Sequence, residues 1–499
     1  MKRQIKNILS ISALCVGFLA SGCSDYLDIN TDPTRVNEDQ VTLAAMLPTV
    51  IEATSQAQYN YAFTISQITQ NMCSVTGGGS DQHIEIRLAT AWSTAYLTAM
   101  SNATLMIDKA NAQKSPHYAA VGKILLAYNL NMATTAWESI PFSQAFSIKN
   151  LKPEYDSQEA IYQKINQLLD EALADFDKTS VRTLGAEDLI FYPATVTTAT
   201  LATIIPRWKG TARALKARVA MQGTAKNGVA AATNALTILA AGGIASNTDD
   251  LQLTYNLRNL NPWHVGVAIA NTTGNLSVRH SQQFVDAMNG TTYGVFDPRM
   301  PIVGGRVAAN AAATTWIGGE NGVGGGNVDL NPTTSWHSRN TSPIQFITFA
   351  EQKFIQAEAE FLKNGGTTTS KGTTAAGYQA YLDGIAANCN KVGVADTGRT
   401  RYLASPLVAV GAANLTLQLI MAEKVKALFL NPETWNDYRR WDYSKDVFKD
   451  LDLPKNQSTA LGGKWIERSF YPLDEFSRNG TVAAQNQKLG NVKMWIFSK

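Results

Sequence analysis

Two glutamates seven positions apart, Glu351 and Glu358, are the first pair in this 499-residue chain that could do chemistry together. On a helix they would lie two turns apart, about 10 Å at 1.5 Å per residue. Glycosidase carboxyls stand about 5–9.5 Å apart and flank a cleft. The residues around these two, Phe349 to Ala359, read as an internal support helix, so structural hydrogen bonding is the expected role. Arg439 and Arg440 beside Trp435 and Trp441 offer either a grip on an anion or guanidinium packed on indole, and packing is expected. The five histidines show no His-Glu-x-x-His spacing and no pairing with cysteines, so no metal centre is expected. Gly77-Gly-Gly-Ser80-Asp81 lacks the closing glycine of a serine-hydrolase elbow. The glycines of 318–326 spell neither a dinucleotide fingerprint nor a P-loop, and they read as a flexible surface loop. No catalytic residue and no cofactor is therefore assigned.

Binding chemistry is better represented. Sugar rings have apolar faces that stack on Trp or Tyr, while their hydroxyls need amide and guanidinium partners. Trp263, His264, Tyr293, Trp316 and Trp336 (with His337 beside it) supply that chemistry in a stretch rich in Gly, Asn and Thr. Binding residues concentrate on loops of this kind. Packing inside the stretch is the competing role for any one of them, and at least one is expected to touch ligand.

The elements that position these residues begin with the N-terminus. Lys2, Arg3 and Lys6 precede an apolar run from Ile8 to Ala20 and then Ala20-Ser-Gly-Cys23, the pattern of a secretory signal of residues 1–22. The run is shorter than the roughly 20 apolar residues of a membrane span. The junction resembles a bacterial lipobox, in which Cys23 becomes the lipidated first residue of the mature chain. Those three cations account for the whole formal charge of +3, so a nucleic-acid partner is not expected. Charged residues make up only 17% and hydrophobic ones 45%, enough for a substantial core. Cys73 and Cys389 either pair or remain as two buried thiols.

After a polar tether (residues 23–40), apolar residues recur at steps of three and four. Val121, Leu125, Tyr128 and Met132 define one helix, which Ser115-Pro116 starts as N-cap and first helical residue. Ile161, Ile165, Leu168, Ala172 and Phe176 define the next, with Asp156 and Glu159 as a capping box. Trp208 to Met221 is another. Helix periodicity disappears between about 251 and 342, where loops with a few short strands are expected. It returns from Ile344, with Ile347, Ala350, Phe354, Ala357 and Phe361 before Asn364-Gly365-Gly366 ends the helix. Ala375–Asn390 and Leu415–Leu430 continue the pairing. The expected fold is mainly α: a tetratricopeptide-like α-α superhelix (about 41–250 and 344–430), the loop-rich insertion, and a C-terminal segment at 431–499.

Six stretches carry a family resemblance. Leu27-Asp-Ile-Asn-Thr-Asp-Pro33 follows the lipidated cysteine. Trp92, Tyr96 and Asn102 share a helix, as do Trp208, Leu215 and Arg218, although Arg213 stands where Asn is usual. Phe349-Ala-Glu-Gln-Lys-Phe-Ile-Gln-Ala-Glu-Ala359, Glu433-Thr-Trp-Asn-Asp-Tyr-Arg-Arg440 and Arg468-Ser-Phe-Tyr-Pro-Leu-Asp-Glu…Asn479 follow, with Asp297-Pro-Arg299 as a shorter match. In this order they resemble the SusD/RagB family of nutrient-binding outer-membrane lipoproteins, specifically its SusD-like branch. The resemblance implies four helical units packed against the insertion. It also implies a non-catalytic surface protein that hands an oligosaccharide or peptide to a SusC-like TonB-dependent transporter. A lipid-anchored glycan-processing enzyme and a purely structural helical scaffold are the competing functions.

Overall fold

Apolar residues at helical spacing do produce a mainly helical protein. The computed structural model describes residues 40–147, 149–192, 200–275, 277–307 and 312–498. The signal segment, Cys23 and the tether up to residue 39 lie outside them. Residues 43–499 close into one unit.

That unit opens with α1 (Leu43–Ile68) and the short strand β1 (Met72–Ser74). Next, α2 (Ala89–Ser93) runs through a π-helical stretch, Thr94–Met100, into α3 (Ser101–Ala112). Then come α4 (Pro116–Trp137), α5 (Gln158–Asp175), α6 (Leu201–Gln222) and α7 (Thr224–Ala240). Consecutive helices lie side by side: α3 on α4, α4 on α5, α6 on α7.

The sequence shows one apolar face on α4, yet from His117 to Trp137 every residue is buried. Several of its polar side chains therefore pair with neighbouring elements. Asn129 Nδ2 donates to Thr54 Oγ1 (2.9 Å), Tyr128 Oη to Gln58 Oε1 (2.7 Å) and Asn131 Nδ2 to Gln222 Oε1 (2.8 Å). Pro116 does open this helix, but the Ser115 hydroxyl donates to Gln113 O instead of capping it. At α5 the cap is Ser157, which accepts from Ala160 N. Asp156 instead accepts from Phe142 N and Ser143 N (3.0 and 2.7 Å), tying down the preceding loop.

The insertion is framed by strands. β2 (Leu251–Thr254) pairs antiparallel with β6 (Pro343–Ile347), joining Leu251 to Ile347 and Thr254 to Pro343 across its root. Inside lie β3 (Val278–His280), α8 (Gln282–Asn289), β4 (Gly305–Arg306) and β5 (Val328–Asp329). β3 pairs with β1, so the N-terminal region holds the insertion from outside, and β4 pairs with β5. Helix α8 was not foreseen: Ser281 caps it by accepting from Phe284 N, and Phe284, Val285 and Met288 are its buried face.

The glycines of 318–326 are not a loose surface loop. Gly322 N donates to Asp81 Oδ2 (2.8 Å), and its carbonyl accepts from Gln82 and Asn456 (3.0 and 3.1 Å). At Gly322, with φ +84°, a Cβ would stand 1.6 Å from Lys455 O. Glycine is required there by backbone approach, not by mobility.

After the insertion, α9 (Phe349–Lys363) is capped by Thr348, accepting from Glu351 N, and ends at Asn364-Gly365 with Gly365 at φ +83°. It packs on α7, α10 (Ala375–Val392) and α12 (Leu417–Ala427); α11 (Asp396–Leu403) lies between α10 and α12 in sequence. Phe429, just past α12, stacks on Phe284 at 4.4 Å and on His280 at 5.0 Å, so the insertion docks there. α13 (Glu433–Arg440) and the terminal segment close the unit.

Candidate ligand-binding site

The paired carboxylates face partners, not a cleft. Glu351 and Glu358 are both 0% exposed. Arg218 grips Glu351 with Nε and Nη2, each at 2.6 Å. Arg440 grips Glu358, which also accepts from Trp441 Nε1 at 3.0 Å. Asp437 accepts from Arg440 and from Lys424 Nζ (2.9 Å). A second buried cluster joins Arg299 to Asp297 and Glu423, with Lys426 on both carboxylates. Burial alone would raise the Asp297 pKa, but the adjacent Arg299 and Lys426 hold it below the usual carboxylate range. Arg439 lies 3.7 Å over the Trp435 ring and donates to the carbonyls of Thr135 and Glu467 (2.7 and 2.8 Å). The charged motif residues are thus the framework of the core. Cys73 and Cys389 are free buried thiols, and burial pushes them up to about 12 and about 11. Among the described residues no cluster of His, Cys, Asp and Glu is arranged to hold a metal ion.

The five aromatic and histidine candidates divide into two places. Trp263 is 2% exposed, with Tyr59 edge-on at 5.1 Å and Phe63 at 6.3 Å. It packs between α1 and the insertion, the competing role expected for any one of these rings. His264 is half-buried beside it, with Nδ1 at 2.9 Å from Ser338 O. Trp336 is half-buried and meets the His337 ring edge-on at 4.8 Å.

Tyr293 and Trp316 are each tied to the C-terminal end of α8. Asn289 Nδ2 donates to Trp316 O (3.1 Å), and Gly290, at φ +97°, turns the chain into the segment bearing Tyr293. Trp316 is half-buried, with the Arg306 guanidinium 4.0 Å above its ring. Phe296 and Ile317 on the same turns are 48% and 54% exposed.

Along α8 runs a polar cleft of ≈ 470 Å³. Its walls include Gln282, Gln283 and Asp286 of α8, Thr291 and Thr292 of the following turn, Asn321 of the glycine loop, and Asp450, Asp452 and Lys455. The backbone pins the two sides together: Gln282 N donates to Gly319 O (2.7 Å) and Lys455 N to Asn321 O (3.0 Å). Gln70 Nε2 donates to Asp452 O (2.6 Å) and Gln283 Nε2 to Lys449 O (2.9 Å). Amides, hydroxyls and carboxylates on a fixed backbone can satisfy many hydroxyl groups at once, which is what a sugar presents. Sequence reading did not single out the cleft residues Gln70, Gln283 and Asp286. The signal for the α8 residues was present, Ser281 three residues before Phe284 and Gly290 past the helix end, but brief.

The profile of a SusD-like family described as "Starch-binding associating with outer membrane" matches residues 32–472. No curated protein matches the chain significantly. Among solved structures, a SusD/RagB family protein from Bacteroides thetaiotaomicron is similar at TM-score 0.73 and 19% identity, over 92% of this chain and 99% of that one. A chitin-binding SusD homolog from Flavobacterium johnsoniae is similar at TM-score 0.70 and 19% identity, over 91% and 99% of the two chains. A SusD homolog from Bacteroides fragilis is similar at TM-score 0.66 and 16% identity, over 89% and 100%.

Proposed function

Because the chain belongs to the SusD-like family, we propose that it is a non-catalytic, cell-surface nutrient-binding lipoprotein. It captures an oligosaccharide on the insertion and delivers it to a SusC-like TonB-dependent outer-membrane transporter. Cys23 carries the lipid anchor. Among the described residues no helix is long and apolar enough to cross a membrane, so a lipid anchor suits the outer-membrane association in the family description.

The observation that carries this reading is the contrast between the two sites considered. The carboxylate pair is sealed inside ion pairs at 0% exposure, while the open cleft on α8 is lined by amides, hydroxyls and carboxylates that can hydrogen-bond a sugar. The name of the Flavobacterium johnsoniae structure speaks of chitin and the family description of starch, which favours a glycan over a peptide. The helical array then has its outer faces free for a transporter, and a stable complex of that kind buries about 2,000 Å² or more.

Calorimetry with starch- and chitin-derived oligosaccharides tests the ligand. The protein is expected to bind one of them, and Trp316→Ala to weaken that binding about tenfold, the loss of one stacked ring. Wild-type affinity in both Trp316→Ala and Tyr293→Ala would place the ligand elsewhere. Gentle detergent extraction tests the partner: the chain should come down with a large outer-membrane barrel, and recovery alone would contradict the delivery role.

A further inference from the structure

Behind the cleft lies a chamber of ≈ 30 Å³ that shares Gln70 and Gln283 with it as a common wall. Its other walls mix apolar groups, Phe284, Val425, Tyr438 and Phe448 with Tyr293, and the stems of Lys426 and Lys449, whose ammonium groups are engaged by Glu423 and by Thr292 O. One polar side chain in it stands out. Asn71 is 1% exposed, and neither its Oδ1 nor its Nδ2 has a hydrogen-bond partner among the described residues. A buried polar group left unpaired costs about 1–3 kcal/mol. A native protein keeps such a group where something else completes it.

From this geometry we infer that the chamber is a subsite for an acetamido substituent, so that the glycan bound in the cleft carries N-acetylated sugars. This deepens the binding reading above and rests on it. The Asn71 amide presents a donor and an acceptor side by side, and the group that meets both at once is a second amide. An acetamido group brings that amide together with a methyl, and the methyl suits the apolar walls. A bare hydroxyl would pair with Asn71 but leave those walls uncovered. The volume holds only about two waters, matching a small substituent and not a whole ring. The cleft's carboxylates, Asp286, Glu320, Asp450 and Asp452, meet one lining cation, Lys455, which pairs with Glu320 at 2.9 Å. Acidic sugars are disfavoured there, while a neutral acetylated one is not.

The test compares β-1,4-linked oligomers of N-acetylglucosamine and of glucose, equal in length, against the detergent-extracted full chain by calorimetry. The two differ in acetamido against hydroxyl and carry no charge. The acetylated oligomer should bind at least about tenfold tighter, because a site with a buried hydrogen-bonding group rejects the analogue that cannot pair with it. Asn71→Ala should erase that preference. Ala287→Leu, a helix-compatible change on α8 that fills the chamber and leaves residue 71 as Asn, should erase it as well and guards against a folding defect in the first variant. Equal affinity for both oligomers, or a preference that survives both substitutions, overturns the acetamido subsite and leaves the binding reading standing. Failure to bind any glycan overturns both.

Discussion

Glu351 and Glu358 show how a pair of carboxylates can be read correctly from what flanks them. Apolar neighbours at helical spacing placed them on a supporting helix, and each is closed on an arginine that the sequence also singled out. Which arginine meets which glutamate was not legible, because Arg218 and Arg440 come from distant segments. Glu351→Gln leaves Arg218 buried and unbalanced, so it should destabilise the protein by about 3–5 kcal/mol in urea unfolding while leaving glycan affinity unchanged. Loss of affinity at full stability would restore the enzyme reading. Glu467 behaves in the opposite sense. Burial pushes its carboxyl up to about 7 from 4.5, and its Oε2 has no hydrogen-bond partner among the described residues. The folded protein therefore keeps this proton at pH values where the unfolded chain has lost it, and stability falls as pH rises from about 4.5 towards 7. Melting temperatures measured across that range should decline less in Glu467→Gln, which should exceed wild type at pH 8 and match it near pH 4.5. Parallel curves for the two proteins would refute the assignment.

At the scale of elements, the long helices were legible because their apolar spacing repeats over many turns, as in Ile347 to Phe361. Residues 251–342 gave weaker signals for a physical reason. Their strands are two to five residues long and pair across great sequence distances, β1 with β3 and β2 with β6, so no local pattern betrays them. The glycine loop was misread for a related reason: Gly serves both mobility and close approach, and only the neighbours distinguish them. Gly322 and Gly78 make the distinction measurable. Both have positive φ, +84° and +83°, but a Cβ at Gly78 meets nothing within 4 Å, whereas at Gly322 it collides with Lys455 O. Gly78→Ala should cost about 1 kcal/mol, the left-handed backbone penalty alone. Gly322→Ala should cost several times more and loosen the cleft wall, seen as faster proteolysis near residue 322 and weaker glycan binding. Equal effects would mean that the loop is not pinned as described.

Taken whole, the molecule divides its labour between a helical array stiffened by buried ion pairs and an insertion held to the rest of the chain by strand pairing, ring stacking and ion pairs. Strand β1 grips β3, β2 closes on β6, and Phe429 stacks against Phe284. The family and the helical class could be read from six dispersed stretches, most of which proved to be the buried framework. The binding face could not, since stacking residues and packing residues are the same types; Trp263 packs in the core, while Tyr293 lines the chamber behind the cleft and Trp316 is half-buried under Arg306. The anchor belongs to this scale too: fatty-acid labelling should mark wild type and not Cys23→Ala, and equal labelling would remove the lipoprotein assignment. Capture without catalysis leaves the bound sugar intact, and that can be measured. The protein is titrated with the oligosaccharide it binds best, held at saturation, and the sugar is then recovered and its chain length determined by mass spectrometry. Saturable binding with every chain returned at its original length is the predicted result; shortened chains, lost again in Glu351→Gln, would contradict it.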